Sequence, residues 1–131
     1  MNREELFEKK PMIKIHDKLF PCPTSTAMEF IGGKWKSVIL SHLADGKKRY
    51  NELHKEIPTI TERTLSLQLK QLEKDDLIER KVFTKKPPLK VEYSLTRFGE
   101  TLKPVIHVIN EWGITAAYEK GEFIEVKKQT S

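Results

Sequence analysis

A mainly α-helical domain carrying one β-hairpin (α+β) is the fold class the sequence predicts. Three observations carry it. Apolar residues recur at helical spacing through most of residues 26–72. The period then switches to alternation over 77–84 and again over 91–95. Between those alternating runs lies a basic stretch with two adjacent prolines, Pro87 and Pro88, which reads as a turn. At 131 residues and 15.3 kDa the chain has the length of one domain.

The elements follow in order. Residues 1–20 mix charges with Leu6, Phe7, Ile13, Ile15, Leu19 and Phe20 at no clean period, and read as an arm that packs on something else. Pro21-Cys22-Pro23 interrupts the chain, because each proline biases its predecessor away from the helical region. Thr24 or Ser25 is then placed to cap a short helix with Ala27, Met28, Phe30 and Ile31, closed by Gly32-Gly33. A second helix starts at Lys34. It carries Trp35, Val38, Ile39, His42 and Leu43 at helical spacing and ends at Gly46. Asn51 is placed to cap a third, with Leu53 and Ile57 inside it and Pro58 as its stop.

Residues 61–75 are the most informative. At 100° per residue Leu65, Leu69 and Leu72 fall within ~60° of one another, a compact inward stripe. The opposite side carries Arg63, Ser66, Leu67, Lys70 and Lys74, a basic face with a leucine in its middle. Two strands, 77–84 and 91–95, then form a hairpin whose tip holds Lys85, Lys86 and Lys90. Thr96 caps a last helix running to about Tyr118, with Leu102, Val105, Ile106, Ile109 and Trp112 on one side. Pro104 lies inside that pattern and predicts a kink. The chain thus divides into an arm at 1–20 that supplies a dimer contact, a core at 21–96, a dimerisation helix at 97–119 and a polar tail at 120–131.

Composition bounds the function. Hydrophobic residues make up 37% and charged residues 33%, a globular composition richer in apolar residues than a disordered chain. No apolar run approaches the ~18 residues of a membrane span, and the N-terminus lacks the apolar core of a signal peptide. A single cysteine, Cys22, allows neither an internal disulfide nor a cysteine-based zinc site. The expected setting is the cytoplasm. The net charge is +5 and the pI near 9.3, with the excess placed unevenly. Residues 80–90 hold five basic side chains and no acid, and Lys47-Lys48-Arg49 forms a second cluster. Such strips favour a polyanionic partner.

Three short helices ending in a basic-faced one, followed by a basic-tipped hairpin, form the layout of a winged helix-turn-helix. The physics fits double-stranded DNA. A helix fits the ~12 Å major groove, and a hairpin tip reaches the neighbouring minor groove or backbone. Lysines on the tip attract phosphates without choosing sequence, whereas side chains on the helix read base edges.

These residues also carry a resemblance. Cys22-Pro23, Ile31-Gly32-Gly33-Lys34-Trp35, Arg49-Tyr50-Asn51-Glu52-Leu53, Ile60-Thr61-Glu62-Arg63-Thr64-Leu65 and Leu69-Lys70-Gln71-Leu72-Glu73 are followed by Pro88-Leu89-Lys90-Val91-Glu92-Tyr93-Ser94-Leu95-Thr96 and Glu111-Trp112-Gly113. In that order and spacing the chain resembles the HxlR family of bacterial transcription regulators, winged-helix proteins similar in architecture to the MarR group. The resemblance covers about residues 22–113. It implies a homodimer on operator DNA, with the reading helix at 61–75 and the wing at 78–95. Some family members answer oxidants or electrophiles through a cysteine near the N-terminus, and Cys22 stands at that position. Expected DNA contacts are Thr61, Arg63, Ser66, Leu67 and Lys70 on the helix, with Lys85 and Lys86 on the wing. Two positions depart from the family pattern. Asp75-Asp76 replaces the usual Asp-Gly, and Leu67 stands where relatives are commonly polar.

Other classes fit less well. The sequence has no Gly-x-Ser-x-Gly, His-Glu-x-x-His or phosphate-loop motif, and His16, His42, His54 and His107 are scattered, so no enzyme, metal or cofactor is expected. Trp35 and Trp112 read as core or dimer-interface aromatics, and Gly32-Gly33 as a helix–helix turn. The alternative is a winged-helix module that binds protein and not DNA, but it has no need for lysines at 85, 86 and 90 beside Arg63 and Lys70. RNA recognition lacks strand-borne aromatics at the required spacing. A membrane-surface role lacks an amphipathic partner for the basic strip.

Overall fold

The computed structural model describes residues 1–126; the part of the tail at 127–131 lies outside the described residues. The arm has structure that the sequence pattern did not predict. Helix α1 (Arg3–Lys9) begins where the Asn2 side chain accepts the Glu5 N–H at 2.8 Å, with Glu4 and Glu5 in its first turn and Lys9 in its last. Strands β1 (Ile13–Ile15) and β2 (Lys18–Phe20) then pair antiparallel. His16 and Asp17 both take positive φ, 52° and 60°, which makes the connection a two-residue turn of the type that matches strand twist. Three-residue strands are too short to show a period, and His-Asp is not the usual pair for such a turn.

Helix α2 (Pro23–Ile31) starts earlier than expected. Its N-cap is Cys22, not Thr24 or Ser25: the Ser25 N–H points at the Cys22 Sγ, and Pro23 fixes the first helical position. Helix α3 (Lys36–Ala44) buries Ile39, Leu40 and Leu43. Gly46, at φ 133°, turns the chain into the two-residue strand β3 (Lys48–Arg49), which leads directly into α4 (Tyr50–Glu56). Arg49, not Asn51, is the N-cap of α4, and the Glu52 carboxylate reaches back to its N–H at 3.0 Å.

Helix α5 (Glu62–Lys74) is capped by Thr61, whose Oγ1 accepts the Thr64 N–H at 3.1 Å. Its inward stripe is as predicted, with Leu65, Leu69 and Leu72 at 0%, 2% and 0% exposure. Asp76 adopts φ 60°, so aspartate supplies the left-handed step for which the family pattern has glycine. Strands β4 (Ile78–Val82) and β5 (Val91–Leu95) form the hairpin, and β3 adds to its other edge in the order β3-β5-β4, with Tyr93 opposite both Arg80 and Lys48.

The C-terminal helix is two helices. Helix α6 (Arg97–Glu100) is a single turn capped by Thr96, and α7 (Lys103–Lys120) follows. Pro104 sits in the first turn of α7, where its missing N–H has no intrahelical role, so it starts a helix and does not kink one. Gly99 passes so close to the Leu77 carbonyl that a Cβ there would collide with it, and this seats α6 on the sheet. One apolar cluster joins α3, α4, α5 and the sheet. From α7 only Ile106 is buried in it. Among the described residues no helix is long and apolar enough to cross a membrane.

Candidate nucleic-acid interface and the thiol beside the arm

The outward side of α5 is set by two devices. The Thr61 cap fixes where the helix begins. Tyr50, from α4, fixes its first turns: its phenol donates to the Glu62 carbonyl at 2.9 Å and lies 3.2 Å from the Ser66 hydroxyl. Tyr50 is a positioning residue that the sequence reading missed, although it stands inside the motif at 49–53. Ser66 is therefore half-buried and already engaged, whereas Arg63, Leu67 and Lys70 are exposed. Leu67 is 50% exposed. Among the described residues Arg63, Lys70 and Lys74 enter no ion pair.

The second basic cluster is largely neutralised within the chain. Lys48 pairs with Glu56 at 3.2 Å and Lys47 with Glu92 at 3.5 Å. Burial pushes the Glu56 carboxyl up, but hydrogen bonds and charge from Lys48 and His42 outweigh it and hold the group below its ordinary value. The wing differs. Lys85 and Lys86 are exposed, and among the described residues neither is paired. The base of their loop is tied: the Phe83 N–H donates to the Lys90 carbonyl at 2.8 Å, and the Lys90 N–H to the Thr84 hydroxyl at 3.1 Å.

Cys22 is exposed at the start of α2. The Ser25 hydroxyl, 3.5 Å from the sulfur, lowers the thiol below its ordinary value; the Ser25 N–H adds to this, slight burial opposes it and the Thr24 N–H assists. Cys22 lines a groove of about 710 Å³ between the Pro21–Thr24 segment and α1. His16 lies near Glu29 and Asp75, His42 near Glu56, and His54 near the Ile60 carbonyl. Among the described residues no three His, Cys, Asp or Glu side chains gather as metal ligands would. Trp35 packs against the core, whereas Trp112 is 68% exposed on α7 beside Val105, Val108 and Ile109, all exposed.

Residues 30–120 match the model of the HxlR-like helix-turn-helix family. Among curated relatives, the uncharacterized HTH-type transcriptional regulator YdeP of Bacillus subtilis is 56% identical over 92 residues, which is 70% of this chain and 71% of that protein. The structure is similar to that of the redox regulator HypR in its oxidized form, at TM-score 0.67 and 48% identity over 72% of this chain and 96% of that one. It is also similar to the reduced form of the transcriptional regulator YodB from B. subtilis, at TM-score 0.62 and 32% identity over 77% and 96%. The matched family and these relatives are regulators and not enzymes.

Proposed function

The chain belongs to the family of HxlR-like helix-turn-helix transcriptional regulators, and on that premise we propose that it is a cytoplasmic homodimer that binds operator DNA through α5 and the wing and senses oxidants or electrophiles at Cys22. The observation that carries the DNA reading is the pair of uncompensated basic surfaces. Arg63 and Lys70 on α5, and Lys85 and Lys86 on the wing, are exposed and unpaired among the described residues, whereas Lys47 and Lys48 are held by internal carboxylates. A helix with Arg63, Leu67 and Lys70 outward has the shape and donors for a major groove, and a basic hairpin follows the backbone. Thr61 and Ser66 complete the expected contact set, Thr61 from the helix start and Ser66 from the Tyr50 contact. This reading needs no cofactor and assigns no catalytic step.

Dimerisation is supported by surface. A compact chain of this mass exposes ~7,000 Å², whereas this one exposes 10633 Å². Large apolar side chains are exposed on α1 and α7, where Phe7, Val108 and Trp112 are 83%, 64% and 68% exposed. A two-fold pair covers both.

The thiol reading rests on Cys22 as an exposed cysteine with a lowered proton affinity. With one thiol per chain, the modified state is an intersubunit disulfide, a mixed disulfide or an adduct with an electrophile. The experiment is a mobility shift with the protein's own upstream DNA against random duplex, with and without diamide. The expected result is preference for the upstream site and a change in its affinity on oxidation. Cys22→Ser should bind as the parent does and stop responding. Equal affinity for both duplexes would leave a winged helix without operator recognition.

A further inference from the structure

Resting on the DNA reading above, we infer that the turn between β1 and β2 is a proton-sensitive latch on the end of the reading helix, with His16 as its positioning residue. A two-residue turn with positive φ at both positions favours Asn, Asp and Gly, yet His16 takes φ 52° there. Its side chain faces a cavity of about 700 Å³ that the turn forms with α2, α3 and the end of α5. The ring stands between two elements. Its Nδ1 lies 3.9 Å from the Glu29 carboxylate on α2, and its Nε2 lies 3.7 Å from that of Asp75, the residue that ends α5. The same ring is 6.1 Å from that of Phe30, which meets Phe98 of α6 edge-on at 5.5 Å. This aromatic contact seats the turn whatever the charge on His16.

Both carboxylate separations are longer than a hydrogen bond, so what they carry is charge, and the ring is charged only when both nitrogens hold protons. The carboxylates are largely shielded, with side chains 21% and 13% exposed, and salt screens such pairs less than surface ones. They differ in their other partners. Glu29 also meets Lys18 at 3.2 Å, whereas among the described residues Asp75 meets no cation but His16 within ion-pair distance. Asp75 also stands at the negative end of the α5 dipole, where a carboxylate is unfavourable and a cation favourable. The other charged groups of the cavity balance, Asp17, Glu29 and Asp75 against Lys18, Lys36 and Lys74, so the ring decides its net charge. Of these side-chain types histidine alone changes charge between about pH 5 and 8. The latch is therefore closed where the ring is protonated and opens as the pH rises through its titration. Tyr50 holds the start of α5 through uncharged hydrogen bonds, and His16 holds its end through charge. Opening frees that end and leaves Asp75 uncompensated directly after Lys74, where it repels phosphate.

The test uses the full chain under reducing conditions. His16→Asn removes the charge and keeps a residue that accepts the left-handed turn. Asp75→Asn removes the partner, and His16→Lys makes the cation permanent. A double-mutant cycle read by urea unfolding, without DNA, measures the pair. The expected result is that His16→Asn and Asp75→Asn are non-additive near about pH 6 and additive near about pH 8. Binding to the protein's own upstream DNA and to random duplex is then measured at the same two pH values. In the parent, the preference for the upstream site should fall a few-fold from the lower pH to the higher. His16→Asn should show the lower preference at both, and His16→Lys the higher preference at both. His42, His54 and His107 are present in every one of these proteins, so differences between them belong to position 16. A cycle that is additive at both pH values overturns the latch. A pH-dependent cycle beside a His16→Asn preference that tracks the parent overturns its action on α5. A pH-dependent cycle with no preference for the upstream site in any of the proteins overturns the DNA reading and leaves the latch standing.

Discussion

Arg63 and Leu67 stand one turn apart on the outward side of α5, and they differ in what they can read. Arginine offers a planar fork to a guanine edge, whereas leucine offers only apolar contact, such as to a thymine methyl. Replacing Arg63 with alanine should cost ~1–3 kcal/mol on the preferred site and leave random-duplex binding much less affected. Competition binding on both duplexes checks this, and an equal loss on the two would move the reading surface elsewhere. Ser25 acts at the same scale on the other site. Its hydroxyl is the largest of the influences lowering the Cys22 thiol. Ser25→Ala should move the thiol up toward its ordinary value, so less thiolate is present at neutral pH and alkylation slows there. The two proteins should converge where both thiols are ionised, well on the alkaline side. A pH profile of iodoacetamide labelling that superimposes for the two would remove Ser25 from that role.

At the scale of elements, the proposed interface assigns different contacts to the hairpin and to α5. Lys85 and Lys86 sit on a loop whose base is tied by Thr84 and Lys90, and lysines placed there suit phosphates, which carry no sequence information. Lys85→Ala with Lys86→Ala should weaken binding about equally on every sequence and reduce the salt slope by roughly one unit per lost phosphate contact. Titrations at several salt concentrations measure this, and an unchanged slope would take the wing off the backbone. The long periodic elements are legible in the sequence. The stripe of Leu65, Leu69 and Leu72 predicted α5, and alternation predicted β4 and β5. The arm was not legible, because seven helical residues and two three-residue strands are too short to show a period. Strand β3 was hidden for the same reason. The apolar pattern predicts a kink at Pro104 because it does not show where a helix restarts; in the structure Pro104 lies in the first turn of α7, after α6 is seated by Gly99 against Leu77.

For the whole molecule, the accessible surface sets the question. Helix α7 leaves a row of apolar side chains exposed, the largest of them Trp112. Trp112→Glu should convert a micromolar dimer to monomer while the far-ultraviolet circular dichroism is kept, since among the α7 residues only Ile106 enters the core. Operator affinity should fall with it, because two reading helices one DNA turn apart, ~34 Å, need both chains. Sedimentation and mobility shift on the same sample check the pair of outcomes. What the sequence by itself determined was the order of the main elements, the inward stripe, the basic tip and the family. These depend on periods and motifs that neighbouring residues carry between them. The tertiary structure decided which charges remain free, because Lys48 meets Glu56 and Lys47 meets Glu92 only once α4 and β5 lie beside β3. It also decided that Tyr50 holds α5 through Glu62 and Ser66, and that Cys22 lines a groove walled by α1. Pairings across 8 to 45 residues of chain leave no local pattern to read; they exist only after the core has brought the elements together.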